Sequence, residues 1–350
     1  MNQKKYTAAV IGTGRIGFTL GFDRRREQPA SHTMALQDNR RISVIAGCDT
    51  DAGHLEEWKA YMKHVAVYNN TAHLFAACRP DIVVVAVNEN AHLETALEVL
   101  KETPRLVILE KPVALNMHDG LLISEIAVKY GVPVLVNHER RFAADYAAAR
   151  QYMAEIGDIQ SIHATLSSGL KVYSPKEEGT GEYSLLHDGT HLIDIVQYLL
   201  ESIGEDTAGN QLQYPAITGI YHDKDDSSII RNICVHYRTS VCPDVTFAVS
   251  GRSRYFGFDV DIRGTEGRIC IGNGFADFYR RAESKLYTGF YSLEKDSSVK
   301  IPKKTGYFSN MVQNAVDFLD GKAELKSTLK NGLDTLTVID EIRKKLKTGC

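Results

Sequence analysis

The hydrophobic positions of the first 137 residues fall into short continuous runs separated by stretches of helical spacing. Thr7 to Ile11, Ile42 to Cys48, Val65 to Tyr68, Asp81 to Val87, Leu106 to Leu109 and Val132 to Val136 are apolar or β-branched almost throughout, as strands buried on both faces are. Between them, Ala91 to Lys101 and Asn116 to Tyr130 place apolar residues at i, i+3 and i+4, the second stopping at Gly131-Val132-Pro133. This alternation predicts βαβ units around a parallel sheet, with the helices as crossovers. One stretch interrupts the first unit: Phe22 to His32 carries Asp23-Arg24-Arg25-Arg26-Glu27-Gln28-Pro29 between two helical pieces. It reads as a solvated loop, or more sharply as arginines gripping a cofactor phosphate or a neighbouring subunit.

Beyond Asn137 the texture changes, so the expected domains are residues 1–137 and 138–350. A helix is predicted from Phe142 to Glu155, ending near Gly157. Longer alternating segments such as Ser161 to Ser168 and Ile229 to Tyr237 predict a sheet with one face turned to solvent or an interface. The Gly-, Lys- and Glu-rich stretch Gly169 to Gly181 predicts a mobile loop. Asn310 to Leu319 and Leu333 to Leu346 predict closing helices that pack back toward the first domain.

Composition narrows the function. A hydrophobic fraction of 43% and a charged fraction of 24% over 350 residues describe an ordinary globular chain with more than one core. The net charge of -3 provides no broad positive field, so nucleic acid is not an expected partner. The six cysteines, Cys48, Cys78, Cys234, Cys242, Cys270 and Cys350, are scattered without metal or redox spacing, which predicts a reduced setting. The basic start Met1-Asn2-Gln3-Lys4-Lys5 precedes an apolar stretch that stops at Gly12, too short for a signal-peptide core. No run approaches the roughly 18 to 20 apolar residues that span a bilayer. A cytoplasmic protein without a membrane partner is expected.

Gly12-Thr13-Gly14-Arg15-Ile16-Gly17 follows the first strand and is expected to open a helix, the context in which GxGxxG binds a dinucleotide. Gly12 permits the tight turn, Gly14 lets the backbone approach a pyrophosphate, and Gly17 lets the helix pack on the strand. The second strand ends in Gly47-Cys48-Asp49. Asp49 can accept hydrogen bonds from both adenosine ribose hydroxyls and repel a 2′-phosphate, which favours NAD over NADP. Its other reading is a helix N-cap, for which Asp51 competes.

The pattern resembles the glucose-fructose oxidoreductase, inositol dehydrogenase and rhizopine-catabolism (Gfo/Idh/MocA) family. The resemblance rests on Gly12 to Gly17, on Val85-Ala86-Val87-Asn88-Glu89-Asn90-Ala91-His92, on Glu110-Lys111-Pro112, on Asn137 to Phe142 and on His187-Asp188-Gly189-Thr190-His191-Leu192-Ile193-Asp194. It implies a Rossmann doubly wound parallel sheet followed by an α/β domain with a large, mainly antiparallel open sheet. It also implies that Lys111 contacts substrate and nicotinamide ribose, where an ammonium can steady the oxygen of a secondary alcohol as hydride leaves. The Lys-Pro pair restricts the backbone that aims it.

The family's later motif has a histidine acting as acid/base, preceded four residues earlier by an aspartate. His191 matches the histidine, but His187 stands at the aspartate position and the acid moves to Asp188. In a continuous helix, His187 and His191 share a face at i, i+4 while Asp188 points away. Histidine suits proton exchange near neutrality. His187 is then a candidate to position substrate or share the proton, and Asp188 to contact a substrate hydroxyl or cap the helix. A zinc site at the histidine pair is set aside, because no HExxH glutamate or nearby cysteine accompanies it.

Weaker carry-overs place Glu110, Asn88 and His92 beside the cofactor, Asn88 standing where the family usually has proline. Asn137 and Arg140 are expected at the domain junction, the arginine either binding a substrate carboxylate or pairing with a local acid. Tyr173 and Tyr183 are expected as pocket walls. The implied function is an NAD-dependent dehydrogenase acting on a hydroxylated small molecule, assembled as a homodimer or homotetramer. An NAD-using glycosidase with transient redox, or a non-catalytic dinucleotide sensor, are the alternatives.

Overall fold

Each of the six short apolar runs becomes a strand, because a residue buried on both sheet faces needs no alternation. The strands are β1 (Tyr6–Ile11), β2 (Ile42–Cys48), β3 (Ala66–Tyr68), β4 (Ile82–Val85), β5 (Leu106–Leu109) and β6 (Val134–Val136). They form one sheet in the order β3-β2-β1-β4-β5-β6, every neighbour parallel. The order reverses between β1 and β4, and ligands of open α/β sheets bind outside the strand ends at such a switch point. The structure, a computed structural model, describes residues 5–203 and 211–348; Met1 to Lys4 of the basic start and Cys350 lie outside the described residues.

The crossover helices carry the caps their sequences call for. Asp51 accepts from His54 N at 2.9 Å to open Ala52–Met62. Asn116 accepts from Asp119 N at 3.0 Å to open Met117–Tyr130, which closes on Gly131 at φ 64°. The glycine turn does not lead into a regular α-helix as expected. Only a 3-10 turn, Thr19–Phe22, follows it, and the α-helix begins at His32 (His32–Asp38). The short piece buries none of its residues, Phe22 meeting Phe18 and Tyr61 while staying exposed, so little packing offsets the cost of helix nucleation, and Pro29 lies in the path of any extension. The arginine-bearing insertion is docked through Glu27, whose Oε1 accepts from Gly306 N at 2.5 Å and whose carbonyl accepts from Tyr307 Oη at 3.1 Å. Arg24, Arg25 and Arg26 face solvent.

The chain divides into two compact units. The first runs to Ala143 and includes Gly306–Leu336; the second holds Ala144–Thr305 and the chain from Thr337. In the first, Phe308, Met311, Val312, Ala315 and Val316 of the helix Tyr307–Leu319 complete the core formed by Val10, Val84, Ile108 and Leu135. The expected helix Phe142–Glu155 is broken into a 3-10 turn (Glu139–Phe142), an α-helix (Ala144–Tyr152) and a second 3-10 turn (Met153–Glu155). The break is backbone in origin: Ala143 is extended at φ -74°, ψ 135°.

In the second unit, β7 (Ile159–Ser167), β8 (Ala216–His222), β9 (Ile230–Tyr237), β10 (Val245–Ser250), β11 (Gly257–Gly264), β12 (Gly267–Gly272), β13 (Phe275–Glu283) and β14 (Tyr291–Lys295) form one sheet. Its order is β14-β13-β12-β11-β7-β10-β9-β8, and only the β7–β10 pair is parallel. Burial alternates along β9, β10 and β11, so one face is covered and the other open. The helix Gly189–Leu200 packs against β7.

The stretch Gly169 to Gly181 is pinned, where mobility was expected. Val172 N donates to Ile230 O at 2.9 Å, Lys171 pairs with Glu177, and Arg343 Nη2 reaches Glu178 at 2.9 Å. Its charged residues therefore serve as anchors. No helix among the described residues is long and apolar enough to cross a membrane.

Candidate active site

In the first unit, Gly12, Asp49, Ala86, Glu110 and Asn137 each lie one residue beyond the end of a parallel strand. Backbone hydrogen bonds tie these ends into one edge: Gly12 N to Cys48 O (2.8 Å), Ala86 N to Ile11 O (2.8 Å), Glu110 N to Val85 O (3.0 Å) and Asn137 N to Leu109 O (2.8 Å). The edge includes the β1/β4 switch point.

The glycine turn is packed backbone against backbone. Gly12 sits at φ 91°, and a Cβ there would lie 2.3 Å from Ala86 O; one at Gly17 would lie 1.9 Å from Gly12 O. Thr33 Oγ1 closes the turn by donating to Gly17 O at 2.7 Å. Thr13 is buried, while Arg15 is exposed and Ile16 half-buried.

Asp49 Oδ2 accepts from Thr13 N at 2.7 Å and from Thr13 Oγ1 at 3.2 Å, and its Oδ1 accepts from Asp51 N at 3.0 Å. Asp51, not Asp49, caps the following helix. A carboxylate has about four lone-pair sites; three of Asp49's are taken by Thr13 and Asp51, and His54 Nδ1 lies 3.3 Å from its Oδ2. A turn lacking Cβ atoms at Gly12 and Gly14, at the switch point and beside this acid, fits a dinucleotide.

Glu110 is 5% exposed, and its Oε1 accepts from His32 Nε2 and from Asn137 Nδ2, each at 2.6 Å. Its Oε2 faces Lys111 N at 3.3 Å. Burial pushes this carboxyl up, but the donors His32 and Asn137 and the charge of Lys111 outweigh it and hold the group below its ordinary value. Asn137 thus contacts Glu110, and Lys111 is half-buried beside it. His32 was not among the sequence candidates. The only signal for it is a histidine directly behind the helix cap Ser31.

His92 is buried, with Nδ1 2.6 Å from Pro112 O and Nε2 3.1 Å from Val87 O. Burial lowers its pKa, and a neutral ring can donate to only one of these carbonyls. The imidazole therefore braces the two loops that follow β4 and β5. Asn88 is exposed at the start of the 3-10 turn Glu89–Ala91, and Arg140 stands 3.4 Å from Glu139.

In the second unit, His187 ends a short helix (Ser184–His187) and His191 lies in the first turn of Gly189–Leu200. The two are joined through Asp188 at φ -96°, ψ -26°, so the chain keeps a helical sense across the junction. Asp188 makes no side-chain cap, contrary to one expectation; Thr190 Oγ1 donates to His187 O at 3.1 Å instead. His187, Asp188 and His191 are all half-buried. Asp194, three residues after His191, is 1% exposed, a buried acid that its apolar neighbours could have flagged.

Tyr173 and Tyr183 are buried, not open walls, their rings 5.5 Å apart at 83°. Tyr173 Oη donates to Glu178 at 2.7 Å. Burial raises the Glu178 carboxyl, yet Lys347, Tyr173 and Arg343 together bring it down to about 2.

A parallel sheet that reverses order beside a glycine turn, with an acid closing its second strand, is a dinucleotide-binding Rossmann fold. Residues 6–138 match the model of the Gfo/Idh/MocA family, an oxidoreductase family with an NAD-binding Rossmann fold. Over 209 residues it is 24% identical to D-glucoside 3-dehydrogenase of Escherichia coli (strain K12), covering 57% of this chain and 55% of that protein. It is 22% identical over 275 residues to scyllo-inositol 2-dehydrogenase (NADP(+)) of Bacillus subtilis (strain 168), covering 74% and 75% of the two chains. The match spans about half the length of the glucoside dehydrogenase. Among solved structures, an oxidoreductase from Agrobacterium radiobacter in complex with NAD+, L-tartaric acid and magnesium superposes with a TM-score of 0.75 at 16% identity, covering 99% of this chain and 98% of that one. That likeness concerns the fold.

Proposed function

We propose that the chain is an NAD-dependent oxidoreductase that moves a hydride between nicotinamide and a carbinol carbon of a sugar, polyol or related hydroxylated small molecule. The observation that carries this reading is the alignment of Gly12, Asp49, Glu110 and Asn137 beyond their parallel strands, with Lys111 next in the chain. The names of the glucoside and inositol relatives support a hydroxylated substrate.

A bound nicotinamide ring supplies the hydride chemistry. Gly12 to Gly17 hold the pyrophosphate, and Asp49 takes the ribose hydroxyls and disfavours a 2′-phosphate, so NAD is preferred to NADP. Glu110 and Asn137 keep the edge around Lys111 in place, and His92 holds its flanking loops. Lys111 orients the reacting oxygen and steadies the negative charge it gathers, while His191 takes or returns its proton. His187 positions substrate or shares the proton, and Asp188 contacts a substrate hydroxyl. Arg140 is assigned to a substrate carboxylate. The protein works in the cytoplasm as a homodimer or homotetramer through the open face of the β7–β14 sheet.

The test is a panel of polyols, sugars and hydroxy acids with NAD and NADP, read by absorbance of the reduced cofactor. Turnover with NAD is expected, with His191→Ala losing rate far more than cofactor affinity. Undiminished turnover in that variant, or preference for NADP, removes the corresponding assignment.

A further inference from the structure

Beneath Lys111 lies a polar network in which every side chain is buried. His32 is 0% exposed, Asn137 2% and Glu110 5%. Two side-chain donors converge on one carboxylate oxygen at 2.6 Å each, and the second oxygen faces the amide of Lys111 at 3.3 Å. Among the described residues, His32 Nδ1 and Asn137 Oδ1 have no hydrogen-bond partner, so each group spends its one described side-chain bond on Glu110. Phe308 meets the His32 ring edge-on at 5.1 Å and 87°, which leaves the imidazole little room to turn away. A buried carboxylate that loses a donor pays a desolvation cost and seeks another partner. Lys111 supplies a positive charge that acts on Glu110, the other titratable groups facing it being His32 and His92.

We propose that His32 is a positioning residue for Lys111: by donating Nε2–H to Glu110, it holds that carboxylate against the Lys111 backbone and so keeps it from capturing the lysine's ammonium. The inference rests on the reading that Lys111 orients the reacting oxygen. It adds a residue from the far side of the arginine-bearing insertion, 78 positions from its partner.

Replacement of His32 by Leu removes the donor, whereas His32→Gln keeps an amide N–H in reach. The deciding readout needs no substrate: reductive [13C]methylation of lysines, with the Lys111 signal assigned through Lys111→Arg. The signal is expected to move in His32→Leu by more than its line width and to return toward its original position in His32→Gln. NADH affinity, followed by fluorescence, is expected to stay within about threefold, and kcat on the panel's best substrate to fall at least about tenfold in the Leu variant.

An acid limb in kcat is expected in His32→Leu where the parent is flat, because Glu110 rises once His32 no longer opposes burial. A folded His32→Leu protein whose Lys111 signal and kcat match the parent overturns the proposal. Should that variant not fold, His32→Asn, whose shorter amide cannot reach Glu110, decides in the same way: an unmoved Lys111 signal overturns the proposal and a displaced one supports it. Full turnover in Lys111→Ala instead overturns the underlying reading, an outcome separate from any effect at His32.

Discussion

Asp49 grips Thr13: the carboxylate that ends β2 accepts the backbone N–H of the glycine turn at 2.7 Å and its hydroxyl at 3.2 Å. One acid thus shapes the turn and, under the proposed function, also takes the ribose hydroxyls. Replacing it by Ala removes both contributions. NADH affinity is expected to fall about tenfold or more, the loss of one or two hydrogen bonds to a charged group, and the ratio of NADP to NAD turnover to rise. Fluorescence titration and paired kinetics measure this; an unchanged ratio would show that Asp49 does not discriminate.

Gly12→Ala places a methyl group 2.3 Å from the Ala86 carbonyl oxygen and forces φ 91° on an L-residue. Nothing nearby is a flexible side-chain end that can step aside. NADH binding is expected to disappear or the melting temperature to fall sharply. Binding within twofold of the parent at an unchanged melting temperature would contradict the packing described for the turn.

Thr33 links two buried groups, donating to Gly17 O at 2.7 Å and accepting from Trp58 Nε1 at 2.9 Å. Thr33→Val strands both, at a cost of about 1–3 kcal/mol for each unsatisfied group. Because Trp58 is the sole tryptophan, its emission reports this site and the unfolding of the first unit directly. A shifted emission maximum and an earlier fluorescence-detected transition are expected; identical spectra and midpoints would rule the linkage out.

Glu178 makes a pH prediction for the second unit. Its folded value of about 2 lies below an ordinary 4.5, so the stability it contributes is complete above about pH 5 and is lost as pH falls toward 2. Glu178→Gln should melt about 3–8 °C below the parent at pH 7, from a loss of about 1–3 kcal/mol. The difference should close as both are acidified. A gap that persists at pH 2 to 3 would mean that the effect is not electrostatic.

The first sheet was legible because strands buried on both faces are written as unbroken apolar runs, and its crossover helices because Asn116 and Gly131 mark their ends locally. The strand-end residues Gly12 and Asp49 could be named for the same reason, whereas Glu110 and Asn137 were reached through the family resemblance. His32 could not, since its partner Glu110 is 78 positions away and no local spacing records such a pairing. The anchoring of Gly169 to Gly181 was hidden similarly. Glu178 looks like a solvated charge until Arg343, 165 positions on, is brought against it. The glycine turn was recognised correctly but its helix was not, because Thr19–Phe22 has the composition of a helix without a face to bury.

The core of the first unit is finished by Phe308, Met311 and Val312, which the chain reaches only after all of β7 to β14. A nascent polypeptide therefore cannot complete the core of the first unit when its six strands have left the ribosome. Val10, Ile108 and Leu135 stay partly uncovered until that helix has been synthesised. A fragment that stops at Ala143 would expose the apolar surface that this later helix covers.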